Sequence, residues 1–168
     1  MRQIILALSC LVPTAAGAAC GAGDTNVLSC SLLDRQTEVS LCIGGDTIFY
    51  AYGGFGEKPE VQLSAPVAEI ESRPWSGIGR TIWETVTFRD GDFAYEVNLG
   101  ATTVQEGDEL VRQDAGGVAV FVNGQEMTYV ECDAKSATAG IWAVSDAKEA
   151  AGICWNPNAF DWEKCATD

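Results

Sequence analysis

The chain has 168 residues, of which 24 are acidic and 10 basic, for a net charge of −14, and it contains no histidine. So negative a chain repels nucleic acid and anionic membrane surfaces and attracts basic partners. The lack of histidine excludes Ser-His-Asp and Cys-His mechanisms and removes the commonest general base.

Residues 1–18 read as a signal peptide. Met1-Arg2 gives a positive start, residues 4–12 form a short apolar run, and Ala16-Gly17-Ala18 fits a small-x-small cleavage site. The run is shorter than the ~20 apolar residues a bilayer span requires. A lipid-anchored alternative would modify Cys20, but the position three residues earlier is Gly17 rather than a Leu-like residue. The expectation is a bacterial protein, periplasmic or secreted, with a mature start at Ala19 and no membrane span. Removing residues 1–18 leaves 9 basic and 24 acidic residues, a net −15.

Residues 19–168 have the length of one domain, which buries roughly 68–70% of its unfolded surface. Cys20, Cys30, Cys42, Cys132, Cys154 and Cys165 are an even set, as an exported disulfide framework requires. Short loops cost least to close, which favours Cys30–Cys42 and Cys154–Cys165 and leaves Cys20 for Cys132. Cys42–Cys132 is the competing pairing. A metal reading fails for want of histidine or a Cys-x-x-Cys pair, and no phosphate loop or dinucleotide motif occurs. No cofactor is expected.

Residues 27–33, 38–43 and 47–52 read as three strands, the last two separated by Gly44-Gly45-Asp46. Residues 61–63 and 67–70 are shorter extended pieces on either side of Pro66. The clearest pattern follows over 80–100. Ile82, Glu84, Val86 and Phe88 alternate with Trp83, Thr85 and Thr87, Asp90-Gly91 turns the chain, and Phe93, Tyr95, Val97 and Leu99 alternate on the return. Residues 102–115 are polar and acidic and read as a mobile loop containing a short extended piece around Leu110-Val111. Gly116-Gly117 opens another strand, and Asn123-Gly124 marks a second tight turn. The predicted architecture is a single all-β domain, an antiparallel sandwich or small barrel of about eight strands.

One short helix is predicted near the C-terminus, over 146–151, with Ser145 as its cap and Gly152 as its stop. The tail after it reads as a stapled loop whose Trp155, Phe160 and Trp162 cover one end of the core.

Two carboxylates across a cleft can hydrolyse glycosides, and Glu84 and Glu96 share the central hairpin, though both read as ordinary solvent-facing strand residues. Asp90-Gly91-Asp92 lacks the remaining ligands of a calcium loop. Tyr50, Tyr52 and Phe55 form an aromatic group that could stack on sugars or fill the core. The strongest recognition surface is the turn-rich stretch Arg73, Pro74, Trp75, Ser76, Gly77, Ile78, Gly79, Arg80, because Trp and Arg are the usual anchors of binding surfaces. The competing reading folds Trp75 onto the core and pairs the arginines with nearby carboxylates.

An exported, acidic, disulfide-stapled β domain carrying Ser76-Gly77-Ile78 resembles the periplasmic lysozyme inhibitors of Gram-negative bacteria. In those families a Ser-Gly-x-Tyr loop is associated with occluding the lysozyme active site; Gly79 stands where they place Tyr. The stretch 50–98 also resembles uncharacterised exported proteins of proteobacteria, which implies no function. Residues and resemblance together point to a non-enzymatic binding protein, an inhibitor or immunity protein against a basic cell-wall hydrolase. Its contact residues would be Arg73, Trp75, Ser76, Gly77, Ile78 and Arg80. The alternatives are a structural or carbohydrate-binding envelope protein and a carboxylate-pair glycosidase.

Overall fold

The computed structural model describes residues 20–34 and 36–166, so the expected signal peptide lies outside the described residues. The chain forms two antiparallel five-stranded sheets. The first contains β1 (Thr25–Ser31), β2 (Thr37–Gly44), β3 (Thr47–Gly54) and β4 (Val61–Pro66) as a meander, with the two-residue β10 (Thr138–Ala139) beside β1. The second is the meander β5 (Glu71–Pro74), β6 (Ile82–Asp90), β7 (Phe93–Glu106), β8 (Glu109–Val122) and β9 (Gln125–Glu131). Helix α1 (Ala143–Ala150) and a separate hairpin, β11 (Ile153–Asn156) with β12 (Asp161–Lys164), complete the fold. The all-β antiparallel expectation with one short C-terminal helix holds. The expected eight strands become twelve among the described residues.

The period-two pattern explains the packing. Val39, Leu41 and Ile43 of β2 point inward, as do Val86 and Phe88 of β6 and Val97 and Leu99 of β7, and all are buried. Tyr50 of β3 crosses the interface to stack on Phe88, with ring centroids 5.6 Å apart. Each such aliphatic or aromatic burial contributes about 1.5–3 kcal/mol. Where the chain leaves β9 it crosses back to the first sheet: Leu32 bridges Cys132, and the Leu33 amide donates to the Glu131 carbonyl at 3.1 Å.

The additional strands lie where apolar alternation is weak. Residues 102–115 are not a loop. They carry β7 and β8 on as a long two-stranded arm, paired from Ala101↔Asp114 out to Glu106↔Glu109. Most of the arm faces solvent on both sides, so it has no buried stripe to mark it as strand. Residues 67–70 make the opposite correction: the amides of Glu69 and Ile70 both donate to the Pro66 carbonyl at 3.0 Å, forming a turn that plugs Val67 and Ile70 into the core. The central turn shifts by one residue, because Asp90 pairs with Phe93 and leaves Gly91-Asp92 as the connection. At the next hairpin, Asn123 (φ 51°) and Gly124 (φ 78°) adopt the two left-handed conformations of a type I′ turn.

All six cysteines of the described residues pair, as Cys20–Cys42, Cys30–Cys132 and Cys154–Cys165. Three disulfides mark an oxidising, extracytoplasmic setting. Only Cys154–Cys165 matches the expected pairing, and the others are corrected by sheet geometry. Cys30 sits opposite Val39 and belongs to the buried core, whereas Cys42 alternates away from inward Leu41 and Ile43. The two thiols therefore occupy opposite faces of one sheet. Cys42 secures Cys20 on the outer face, and Cys30 secures Cys132 across the seam. No helix among the described residues is long and apolar enough to cross a membrane.

Candidate functional site

Pro74 is buried at the end of β5, and residues 75–81 then leave the sheet before β6 begins. The Trp75 indole folds back over this loop, its Nε1 donating to the Ile78 carbonyl at 2.8 Å. Gly77 (φ 86°) and Gly79 (φ 100°) flank Ile78 in conformations that side-chain-bearing residues rarely adopt. The result holds Ile78 outward, 81% exposed. Ser76 and Arg80 are exposed in the same loop, Arg73 is exposed on β5 opposite Thr85, and neither arginine makes an ion pair or hydrogen bond among the described residues. The expected contact residues Ser76, Gly77, Ile78 and Arg80 lie in this loop, with Arg73 on the strand before it. Trp75 is the half-buried brace, and Ile78 is the tip.

The brace has a second layer. Trp142, which sequence reasoning missed, lies beside Trp75 with ring centroids 6.4 Å apart. Its backbone is left-handed (φ 75°) at the position preceding α1. This position is held from β6. Glu84, 2% exposed, accepts hydrogen bonds from the amides of Trp142 (3.1 Å) and Ser145 (3.3 Å), and from the Ser145 hydroxyl. Burial pushes the Glu84 carboxyl up from its ordinary value, against the lowering effect of these bonds and with help from the neighbouring charge of Asp146. Ser145 is therefore not the helix cap. The helix starts earlier, at Ala143, and a carboxylate from another strand satisfies its first amides.

Glu84 and Glu96 lie on opposite faces of the second sheet. Glu84 pairs in register with buried Leu99, while Glu96 pairs with Thr87 on the outer face. They do not converge as a hydrolytic pair. Tyr50 is in the core and Phe55 is 72% exposed beyond the end of β3, so the proposed aromatic platform is not assembled.

The outer face carrying Glu96 forms instead the floor of a cleft of about 330 Å³. Trp83, Thr85 and Thr87 lie along β6, Arg73 comes from β5, and Trp155, Phe160 and Asp161 come from the C-terminal hairpin. Trp155 and Phe160 therefore face an outer surface, not the end of the core. Trp162 docks the hairpin, its Nε1 donating to the Ser72 carbonyl at 2.8 Å, and the buried Lys148 ammonium lies 5.0 Å from the Trp162 ring centroid. The aromatic spacing of the tail was the sequence signal for this wall, but nothing in it specified the partner surface.

No protein-family model, curated protein or solved structure matches this chain.

Proposed function

We propose that this is a non-catalytic binding protein of the bacterial periplasm or exterior, and that residues 73–80 with Trp142 form its contact surface for a basic cell-wall hydrolase. The observation that carries the reading is the braced loop. An aliphatic side chain is held at 81% exposure between two positive-φ glycines, over an indole that satisfies its carbonyl. An apolar tip on a stiff support loses little freedom on binding, which favours affinity. The flanking Arg73 and Arg80 are free to meet carboxylates, and glycoside hydrolases present two of these beside the scissile bond. At longer range, a net charge of −15 on residues 19–168 steers a basic partner toward the protein.

Binding kinetics against a panel of lysozymes and cell-wall amidases test the proposal. A complex whose release is accelerated by Ile78→Ala supports it. Failure to bind any member of the panel, or release unchanged by Ile78→Ala in a folded protein, rejects it.

A further inference from the structure

We propose that the cleft between the outer face of the second sheet and the C-terminal hairpin binds a short neutral saccharide. This site borders the loop that carries the Ile78 tip and shares Arg73 with it, but Phe160 and Glu96 belong to the cleft alone, so its test is separate from that of the hydrolase-binding reading.

The size of the cleft, about 330 Å³, falls at the small end of ligand sites, which pair aromatic walls with a few directed polar groups. Trp83, Trp155 and Phe160 supply the aromatic surface. The polar groups have mixed character. Glu71 is committed to Arg89 through a 2.6 Å ion pair; Glu96 takes Asn98 Nδ2 on Oε1 and Asp161 takes the Trp162 amide on Oδ1, so each offers its second oxygen as acceptor, with Arg73 as a donor and the hydroxyl of Thr85 as both. Arg73 opposes a cationic ligand, and the two carboxylates oppose an anionic one. A ligand that is neutral, donates and accepts along its edge and offers an apolar face to an aromatic ring meets all of these groups. A pyranose has that chemistry.

The wall contributed by the hairpin is built before any ligand arrives. Cys154–Cys165 closes it, Trp162 docks it on β5, and the Asn156 Oδ1 accepts the amides of Asn158 (2.9 Å) and Ala159 (3.2 Å) to shape its tip. Phe160 sits at that tip in a left-handed conformation (φ 53°) and is 67% exposed. For an aromatic residue this backbone is strained and the residue gains little burial in return; such strain concentrates at ligand clamps.

The test is calorimetry together with saturation-transfer NMR, using the trisaccharides of N-acetylglucosamine, glucose β-1,4-linked, and glucose α-1,4-linked, with choline and citrate as charged probes. At least one trisaccharide is expected to bind. Phe160→Ala and Glu96→Gln should each weaken that binding by roughly 10-fold. Phe55→Ala, on an exposed turn of the first sheet, should leave it unchanged. Melting curves confirm that each variant is folded, and Glu96→Gln carries the test alone if Phe160→Ala is not. The proposal is overturned by no saccharide binding at roughly 10 mM ligand. It is equally overturned by binding that neither cleft variant alters, or by preferential, Phe160-dependent binding of choline or citrate.

Discussion

Glu84 of β6 and Ser145 of α1, 61 positions apart in the chain, are joined by both the amide and the hydroxyl of the serine, and the same carboxylate also holds the amide of Trp142. A buried strand carboxylate thereby sets where the helix begins and where the Trp142 ring stands. Because that ring lies against Trp75, which braces Ile78, a polar contact inside the fold determines the geometry of an exposed loop.

Glu84→Ala should therefore destabilise the protein by roughly 2–4 kcal/mol, since it empties a buried position and strands three donors. Glu84→Gln, which keeps one acceptor, should cost less. The carboxyl is raised above its ordinary 4.5 in the folded state, so between that value and the raised one the native protein holds more protons than the unfolded chain. Stability then falls as pH rises through this window. The stability difference between the native sequence and Glu84→Gln should decline from about pH 4.5 upward and then level off. Denaturant melts across pH measure it; a difference that grows over this window contradicts the assignment.

The two tryptophans should be separable from the tip they support. Trp75→Ala removes the brace and is expected to cost stability as well as affinity, whereas Ile78→Ala should leave the melting temperature nearly unchanged. If Ile78 is a desolvated anchor, its loss raises the off-rate by an amount equivalent to about 1–2 kcal/mol. Raising salt from 0.1 to 1 M shortens the Debye length from ~10 to ~3 Å and should slow association instead. Stopped-flow or surface-based kinetics distinguish the two effects, and a salt-insensitive on-rate would argue against a basic partner.

Removing Cys30–Cys132 should be the most damaging disulfide change. It spans 102 positions, against 11 for Cys154–Cys165, and the chain-entropy estimate is about 4–5 kcal/mol for the first and about 3 for the second. Paired Cys→Ala variants compared by denaturant unfolding should keep that order. Reversal would mean that native packing outweighs loop closure at these sites.

Lys148 is 1% exposed and lies over Trp162. Burial holds its ammonium below the ordinary lysine value, partly opposed by Asp161. Between the lowered value and 10.5 the unfolded chain holds more protons, so this group makes stability rise with pH there. Lys148→Met should be nearly neutral at pH 7, within about 1 kcal/mol, because lost cation–π attraction is offset by the avoided desolvation. It should also flatten the alkaline part of the stability profile relative to the native protein. A loss above roughly 3 kcal/mol at pH 7 would show that the ammonium is essential to docking the hairpin.

By itself the sequence determined those features that are local or periodic. Alternation from Ile82 to Leu99 identified the central hairpin and grouped its residues by face, Asn123-Gly124 identified a turn, and the cysteines and apolar positions specified a stapled all-β domain. The Trp75 loop was legible too, because Gly77 and Gly79 have no strand or helix period to serve. Alternation is silent where both faces meet solvent, which is why the arm over 102–115 resembled a loop. It is equally silent on which sheet covers which. Glu84 lay on the apolar face by its spacing, yet charge made it look solvent-facing; only the approach of α1 supplied the amides that let a carboxylate be buried. Cys30 and Cys42 were close in sequence, but strand register placed them on opposite faces. The cleft was likewise a tertiary decision, since Trp83 and Phe160 are separated by most of the second sheet in the chain. Local periodicity determines the direction of a side chain relative to its own strand; only the packed fold determines what stands opposite it.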